Sequence, residues 1–87
     1  MITPHLADIL IHITEHEMEF SNLRRILKAT YSNLHLCCKI LIELHLVESW
    51  TRKINGRKGN ITRWVRISAK GMRVKKLLQQ IEYELKT

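Results

Sequence analysis

One proline and three glycines interrupt the 87 residues. So few breakers favour helices. No apolar run approaches the roughly 18 residues that a membrane-spanning helix needs, so no membrane association is expected. The first ten residues carry His5 and Asp8 and lack a basic start. That is not the pattern of a secretory signal, and a cytoplasmic location is the expectation. The two cysteines, Cys37 and Cys38, are neighbours in sequence. On a helix their side chains point about 100° apart and are poorly placed to bond each other. No disulfide scaffold is expected, and reduced, packed thiols suit an intracellular chain.

Catalytic equipment is equally scarce. The eight acidic residues are scattered, no nucleophile sits by a Gly-rich turn, and there is no phosphate loop. An enzyme is not expected, nor a cofactor. His5, His12 and His16 share one helical stripe, a spacing that metal sites use. The row lacks a clear third-ligand geometry and borders an apolar face, so these read as surface histidines. In His12-Ile13-Thr14-Glu15-His16 no Glu follows the first His, which excludes the metalloprotease pattern. Cys37 and Cys38 beside His35 invite a metal- or redox-sensor reading. Their expected inward direction makes them small core fillers instead, and no metal site is assigned.

What the chain has in excess is positive charge, and it is unevenly placed. Residues 1–50 hold four Lys/Arg and six acids, and residues 51–87 hold eleven Lys/Arg and two acids, which together give the net +7. From Arg52 to Lys76 there is no acid. A solubilising surface mixes signs, whereas a one-sided field suits a polyanion. An anionic membrane is a weaker partner, because no exposed apolar helix face backs the basic stretch.

The hydrophobic pattern divides a single domain, residues 1–87, into elements. Thr3-Pro4 opens a helix whose buried face is Leu6, Ile9, Leu10 and Ile13, expected to run to about His16. Glu17 to Phe20 reads as a connector, with Phe20 turned into the core. Ser21 is a candidate cap for a short helix with Leu23, Ile26 and Leu27. Ala29 ends it, and Thr30 caps the helix over 30–44, with Leu34, Cys37, Cys38, Leu41 and Leu44 on one side. Two helices joined by so short a turn, the second longer, form a helix-turn-helix.

After Leu46-Val47 the period changes to 2. Trp50, Arg52 and Ile54 alternate with Thr51 and Lys53, and Ile61, Arg63, Val65 and Ile67 alternate with Thr62, Trp64 and Arg66. The polar, Gly-containing stretch between them makes this a β-hairpin with a basic tip. Two registers are open: Ile54 opposite Ile61, or a tight Asn55-Gly56 turn that sets Trp50 opposite Ile61. Both put Arg52 and Arg63 on one face. A last helix begins near Ser68 and continues to about Lys86. No repeat, low-complexity segment or linker is visible.

In this order the residues resemble the MarR-like and related winged-helix transcription regulators, in the minimal form seen in many archaeal and viral proteins. Three stretches over about residues 5–72 carry the resemblance. They are Thr30-Tyr31-Ser32-Asn33 at the cap, Leu41 to Val47 at the helix end, and Val65-Arg66-Ile67-Ser68-Ala69-Lys70-Gly71 at the entry to the last helix. His45 departs from the pattern, since these families usually carry Gly there. That position often needs a left-handed backbone, which His tolerates less well. The resemblance implies an α+β winged helix-turn-helix fold, with three helices, a hairpin wing and a C-terminal helix. It implies double-stranded DNA as partner, and host cytoplasm as the location if the chain is viral.

In that fold the second helix of the turn enters the major groove by its N-terminal residues. Here those are Tyr31, Ser32, Asn33, His35, Leu36 and Lys39. Asn33 suits adenine and Leu36 a thymine methyl; the structural alternatives are a capping role for Asn33 and packing of Leu36 on a neighbouring element. The wing, residues 52–63, offers Arg52, Lys53, Arg57, Lys58 and Arg63 to phosphates or a narrow minor groove. Opposed like charges destabilise a sheet, so phosphates would relieve Arg52 and Arg63. Trp64 is expected either to stack on a sugar or guanidinium, or to be buried against the first helix. Val74, Leu78, Ile81 and Leu85, widened by Leu77, are spaced as a heptad seam. They point to a homodimer through residues 70–86, against which stands a fold-back of the same stripe onto the first helix. The rival function is a winged-helix protein–protein module, whose wing is usually less basic. RNA is disfavoured because the narrow major groove of an A-form duplex excludes a helix.

Overall fold

The computed structural model describes residues 4–53 and 61–86. In chain order the elements are α1 (Pro4–His12), β1 (Met18–Glu19), α2 (Phe20–Leu27), α3 (Tyr31–Glu43), β2 (Val47–Lys53), β3 (Ile61–Ile67) and α4 (Ala69–Lys86). The strands form one antiparallel sheet in the order β1-β3-β2. Leu6, Ile9, Leu10 and Ile13 all turn into a core shared with Phe20, Leu23, Leu34, Leu41, Val65 and their neighbours.

α1 stops at His12, a turn earlier than its pattern suggests, because the following residues are needed in the sheet. The Thr14 carbonyl accepts the Ile67 N–H at 2.8 Å, and Met18 and Glu19 pair with Val65 and Trp64. Ile13 is buried although it lies past the helix. The connector is thus a third strand, too short to show alternation. α2 begins earlier than expected: Glu19, not Ser21, is its N-cap residue, and the Ser21 hydroxyl donates to the Glu19 carboxylate at 3.0 Å. Of its apolar residues Leu23 is buried and Ile26 is exposed. Lys28, in the left-handed region at φ 52°, ends α2. Thr30 caps α3 as expected, its hydroxyl oxygen accepting the Asn33 N–H at 3.3 Å.

His45 adopts φ 62°. The Leu46 N–H donates to the Leu41 carbonyl and the His45 N–H to the Ile42 carbonyl, both at 2.9 Å. This 6→1 and 5→2 pair is a Schellman end, so α3 closes as it would with glycine and His45 carries the steric cost. Ser68 then joins the end of α3 to the start of α4. Its hydroxyl donates to the His45 carbonyl at 2.6 Å and accepts the Gly71 N–H at 2.9 Å. The Lys70 ammonium donates to the Leu44 carbonyl at 3.0 Å. A Cβ on Gly71 would overlap the Leu46 carbonyl oxygen and stand 2.8 Å from Ile67 Cγ1.

The hairpin register matches neither expectation. Lys53 faces Ile61, Arg52 faces Thr62, Thr51 faces Arg63 and Trp50 faces Trp64. A one-residue slip exchanges the faces. Arg52 therefore shares the outer face with Trp50, Thr62, Trp64 and Arg66, while Arg63 shares the inner face with Ser49, Thr51, Lys53 and the buried Val47, Val65 and Ile67. Core burial of Val47 opposite Ile67 sets this register. Ile54 and the expected turn from Asn55 to Asn60 lie outside the described residues.

Two substitutions test the α3–α4 joint. His45→Gly relieves a left-handed position and is expected to stabilise the fold by about 1 kcal/mol. Gly71→Ala forces the Leu46 backbone aside and is expected to cost about 1–3 kcal/mol or more. Urea unfolding of both variants measures the signs; a destabilised His45→Gly would refute the strain at that turn.

Candidate nucleic-acid interface

α3 turns Leu34, Cys37, Cys38 and Leu41 into the core, so its 3.6-residue period leaves the opposite face to solvent. All six residues expected on that face, Tyr31, Ser32, Asn33, His35, Leu36 and Lys39, are exposed. They are not equivalent. Ser32, Leu36 and Lys39 lie opposite the core, while Tyr31 and His35 flank them on the wing side and Asn33 lies on the other. Leu36 is 59% exposed, which removes packing on a neighbour as its explanation. The cap at Thr30 uses the Asn33 backbone and not its side chain.

The wing arginines have separate duties. On the outer face the Arg52 guanidinium lies 5.6 Å from the Trp50 ring and 5.0 Å from the Trp64 ring and is 2.8 Å from the Glu17 carboxylate. Arg66 lies 5.3 Å from the Trp50 ring and pairs with the facing Glu48 at 3.5 Å. Trp64 is thus stacked under a guanidinium and is not buried against α1; its indole N–H donates to Thr62 Oγ1 at 3.0 Å. Phosphates are not required to relieve Arg52, whose face already holds acids, and Arg52 and Arg63 do not oppose each other.

On the inner face Arg63 reaches α2 and α3. Its guanidinium sits 4.5 Å from the Phe20 ring centroid, its Nε donates to Ser49 Oγ at 3.1 Å, and an Nη lies 2.7 Å from His35 Nδ1. His35 stacks on Tyr31 at 5.9 Å with planes 8° apart, and Tyr31 meets Phe20 edge-on at 5.4 Å. Glu19, Phe20, Arg24, Tyr31, Thr62 and Arg63 help line an open cleft of about 210 Å³ between α2, α3 and the wing. Lys53 is exposed at the end of β2, on the Arg63 face. Arg57 and Lys58 lie outside the described residues.

Sequence reasoning passed over the α2 cations. Arg24, Arg25 and Lys28 fall in or directly after α2, close in sequence to the N-terminus of α3, with Arg24 in the cleft. The available signal was that no acid occurs between Glu19 and Glu43; it was hidden by the net negative charge of the whole first half.

The thiols face inward and both are free. Burial pushes the Cys37 thiol up. Burial pushes the Cys38 thiol up to about 11, against a lowering by the Arg63 charge and with a smaller raising by Cys37. Since the thiolate is the reactive form, neither is poised for sensing. α1 ends at His12, whose ring nitrogen meets the Asp8 carbonyl at 2.8 Å, so His16 is not on its stripe. Among the described residues no group of three or more His, Cys, Asp or Glu is placed to hold a metal, and no helix is long and apolar enough to cross a membrane.

No family model matches the chain, and no curated protein matches it in sequence. Solved structures do match its fold. Against smu.1704 from Streptococcus mutans UA159 the TM-score is 0.74 at 16% identity, over 93% of this chain and 77% of that one. Against a double mutant of Lactococcus lactis ZitR in its apo form it is 0.72 at 17% identity, over 97% of this chain and 61% of that one. Against Pex, a circadian clock associated protein from Anabaena, it is 0.61 at 18% identity, over 94% and 80% of the two chains. The fold is a winged helix-turn-helix. Within it α2 and α3 are the helix-turn-helix, and β2 and β3 are the wing.

The Cys38 thiol gives a pH test. Its proton is held more tightly in the folded state, so the stability it contributes is present below the ordinary value of 9.0 and lost as pH rises towards about 11. Between pH 9 and 11 the wild type is therefore expected to lose more of its melting temperature than Cys38→Ala does. Equal losses would mean that Cys38 is not the buried titrating group.

Proposed function

We propose that the chain binds duplex DNA in a sequence-reading manner as a non-enzymatic, intracellular transcription regulator of the MarR-like kind, with α3 in the major groove and the wing on the backbone or minor groove. The observation that carries this reading is the acid-free stretch of chain from Phe20 to Ile42. There the exposed Arg24, Lys28 and Lys39 accompany an α3 face that the core does not use, while Arg25 lies on the side of Glu17 and Glu19. The outer-face arginines meet Glu17 and Glu48 instead, and Lys53, Arg57 and Lys58 are the wing cations of this reading. Asn33 pairs with adenine and Leu36 meets a thymine methyl in this reading. The charge pattern favours this over a protein-docking module, for which a basic surface offers no advantage.

The protein acts as a homodimer in this reading. Val74, Leu77, Leu78, Ile81 and Leu85 form one stripe along α4. Its first half folds back on the domain, where Val74 and Leu78 are half-buried against the core. Leu77, Ile81 and Leu85 remain 60%, 57% and 82% exposed. A second copy is the occupant that suits them. Basic Arg73 and Lys76 precede acidic Glu82 and Glu84, so an antiparallel pair sets opposite charges together. Two α3 helices then meet half-sites about 34 Å apart.

Salt titration on mixed-sequence duplex tests the binding. With about four to six cations used per subunit of a dimer, the log–log slope is expected to be about −7 to −11. Lys39→Ala, which removes one cation from each subunit, should weaken all sequences and reduce that slope by about 2, whereas Asn33→Ala should relax one base pair by about 1–3 kcal/mol. No duplex binding at low salt would exclude the reading and favour protein docking through the exposed Leu36. Sedimentation at micromolar concentration tests the dimer; an Ile81→Asp variant that still dimerises would place the interface elsewhere.

A further inference from the structure

We infer that Arg63 fixes the tautomer of His35, and that the resulting Nε2–H donor is a base-reading group selecting guanine. The inference rests on the DNA reading above and adds to it a residue and a base. A guanidinium can only donate hydrogen bonds. With an Arg63 Nη 2.7 Å from His35 Nδ1, that ring nitrogen must offer its lone pair, and the proton of the neutral ring is on Nε2.

The donor chain behind this contact is oriented throughout. The Ser49 hydroxyl donates to the Trp64 carbonyl at 2.9 Å and so presents a lone pair to Arg63 Nε at 3.1 Å. The same guanidinium is held over Phe20. Arg63 is therefore held by partners in β2 and α2, and from that position an Nη reaches His35 on α3. Tyr31 covers a face of the imidazole. His35 is exposed, and with Nδ1 engaged by Arg63 its other ring nitrogen, Nε2, is the one available to a ligand.

His35 is the fifth residue of α3, within the N-terminal part of the helix that meets base edges in this fold. A single fixed donor discriminates among bases. Guanine offers two adjacent acceptors, N7 and O6, in the major groove. Adenine sets a donor beside its N7, thymine a methyl beside its O4, and cytosine presents a donor. Arg63 touches no base in this account and is a positioning residue.

Ring 15N spectra of the free protein, and site selection from randomised duplex, test the two halves. In the wild type His35 Nδ1 is expected to be unprotonated and Nε2 protonated. In Arg63→Met, which keeps an apolar stem over Phe20, the two tautomers should mix. Selected sites should carry a guanine at one pair of each half-site. His35→Phe, which keeps the stack on Tyr31, should lower that preference by about tenfold, and Arg63→Met should lower it in part. An Nδ1–H tautomer in the wild type overturns the positioning role. Unchanged preference in His35→Phe, or an equal loss on every sequence as a phosphate contact would give, overturns the base assignment. A wild type that binds no duplex overturns the DNA reading and the base contact with it, a result distinct from either.

Discussion

The architecture depends on one close approach, that of the Leu46 carbonyl to the start of α4. Leu46 follows the left-handed His45 and closes α3 by bonding back to Leu41. Its own carbonyl accepts the Ser68 N–H at 3.0 Å and lies where Gly71 has no side chain. Any Cβ there would push α4 off the α3–β2 corner. The angle between α3, β2 and α4 is thus fixed by three backbone groups and a missing methyl. A strained histidine is tolerated at the turn because the surrounding bonds over-determine it. The Ser68 hydroxyl and the Lys70 ammonium bond the His45 and Leu44 carbonyls just past α3, so the joint ties the start of α4 to the turn that ends α3.

The same economy governs the charges. Eleven basic residues against two acids in the second half suggest a uniformly positive wing, but the strand register divides them. The outer face borrows Glu17 and Glu48 from neighbouring segments and threads Arg52 and Arg66 among two indoles. These exposed pairs add little stability each; their effect is to cancel the field on that side. Among the described residues of β2 and β3 the inner face carries no acid. The acid–arginine pairs Glu17–Arg52 and Glu48–Arg66 thus fall on the outer face of the wing.

How much of this was legible follows from what each signal measures. The helix spans of α3 and α4, the Thr30 cap and the buried stripe of α1 were readable, because period and capping are local. The end of α1 was not, since it is set by a long-range bond from Ile67 to Thr14. Two residues of β1 are too few to alternate. The hairpin register was missed because alternation fixes the faces of each strand separately and says nothing of how two strands are phased. That phase comes from the contact of Val47 and Ile67 with the core. One error of phase then misassigned Arg52 and Arg63 to a common face. The solvent-facing side of α3 follows from its period, but the pairing of His35 with Arg63, 28 residues away, has no sequence signature. The α4 stripe was seen whole; its division between the domain's own core and open solvent depends on where the small core ends.

That pairing changes how the wing and the recognition helix are to be thought of. The N-terminal turn of α3 is not anchored by aliphatic packing alone. It rests on Phe20, Tyr31, His35 and Arg63, a cluster in which each ring or guanidinium has its orientation set by the next. Removing one member leaves the others without a partner or a packing surface, so paired substitutions within it should be non-additive. A change on β3 therefore reaches α3 without touching anything α3 touches outside the protein. Through Arg63, β3 holds the Nδ1 edge of His35.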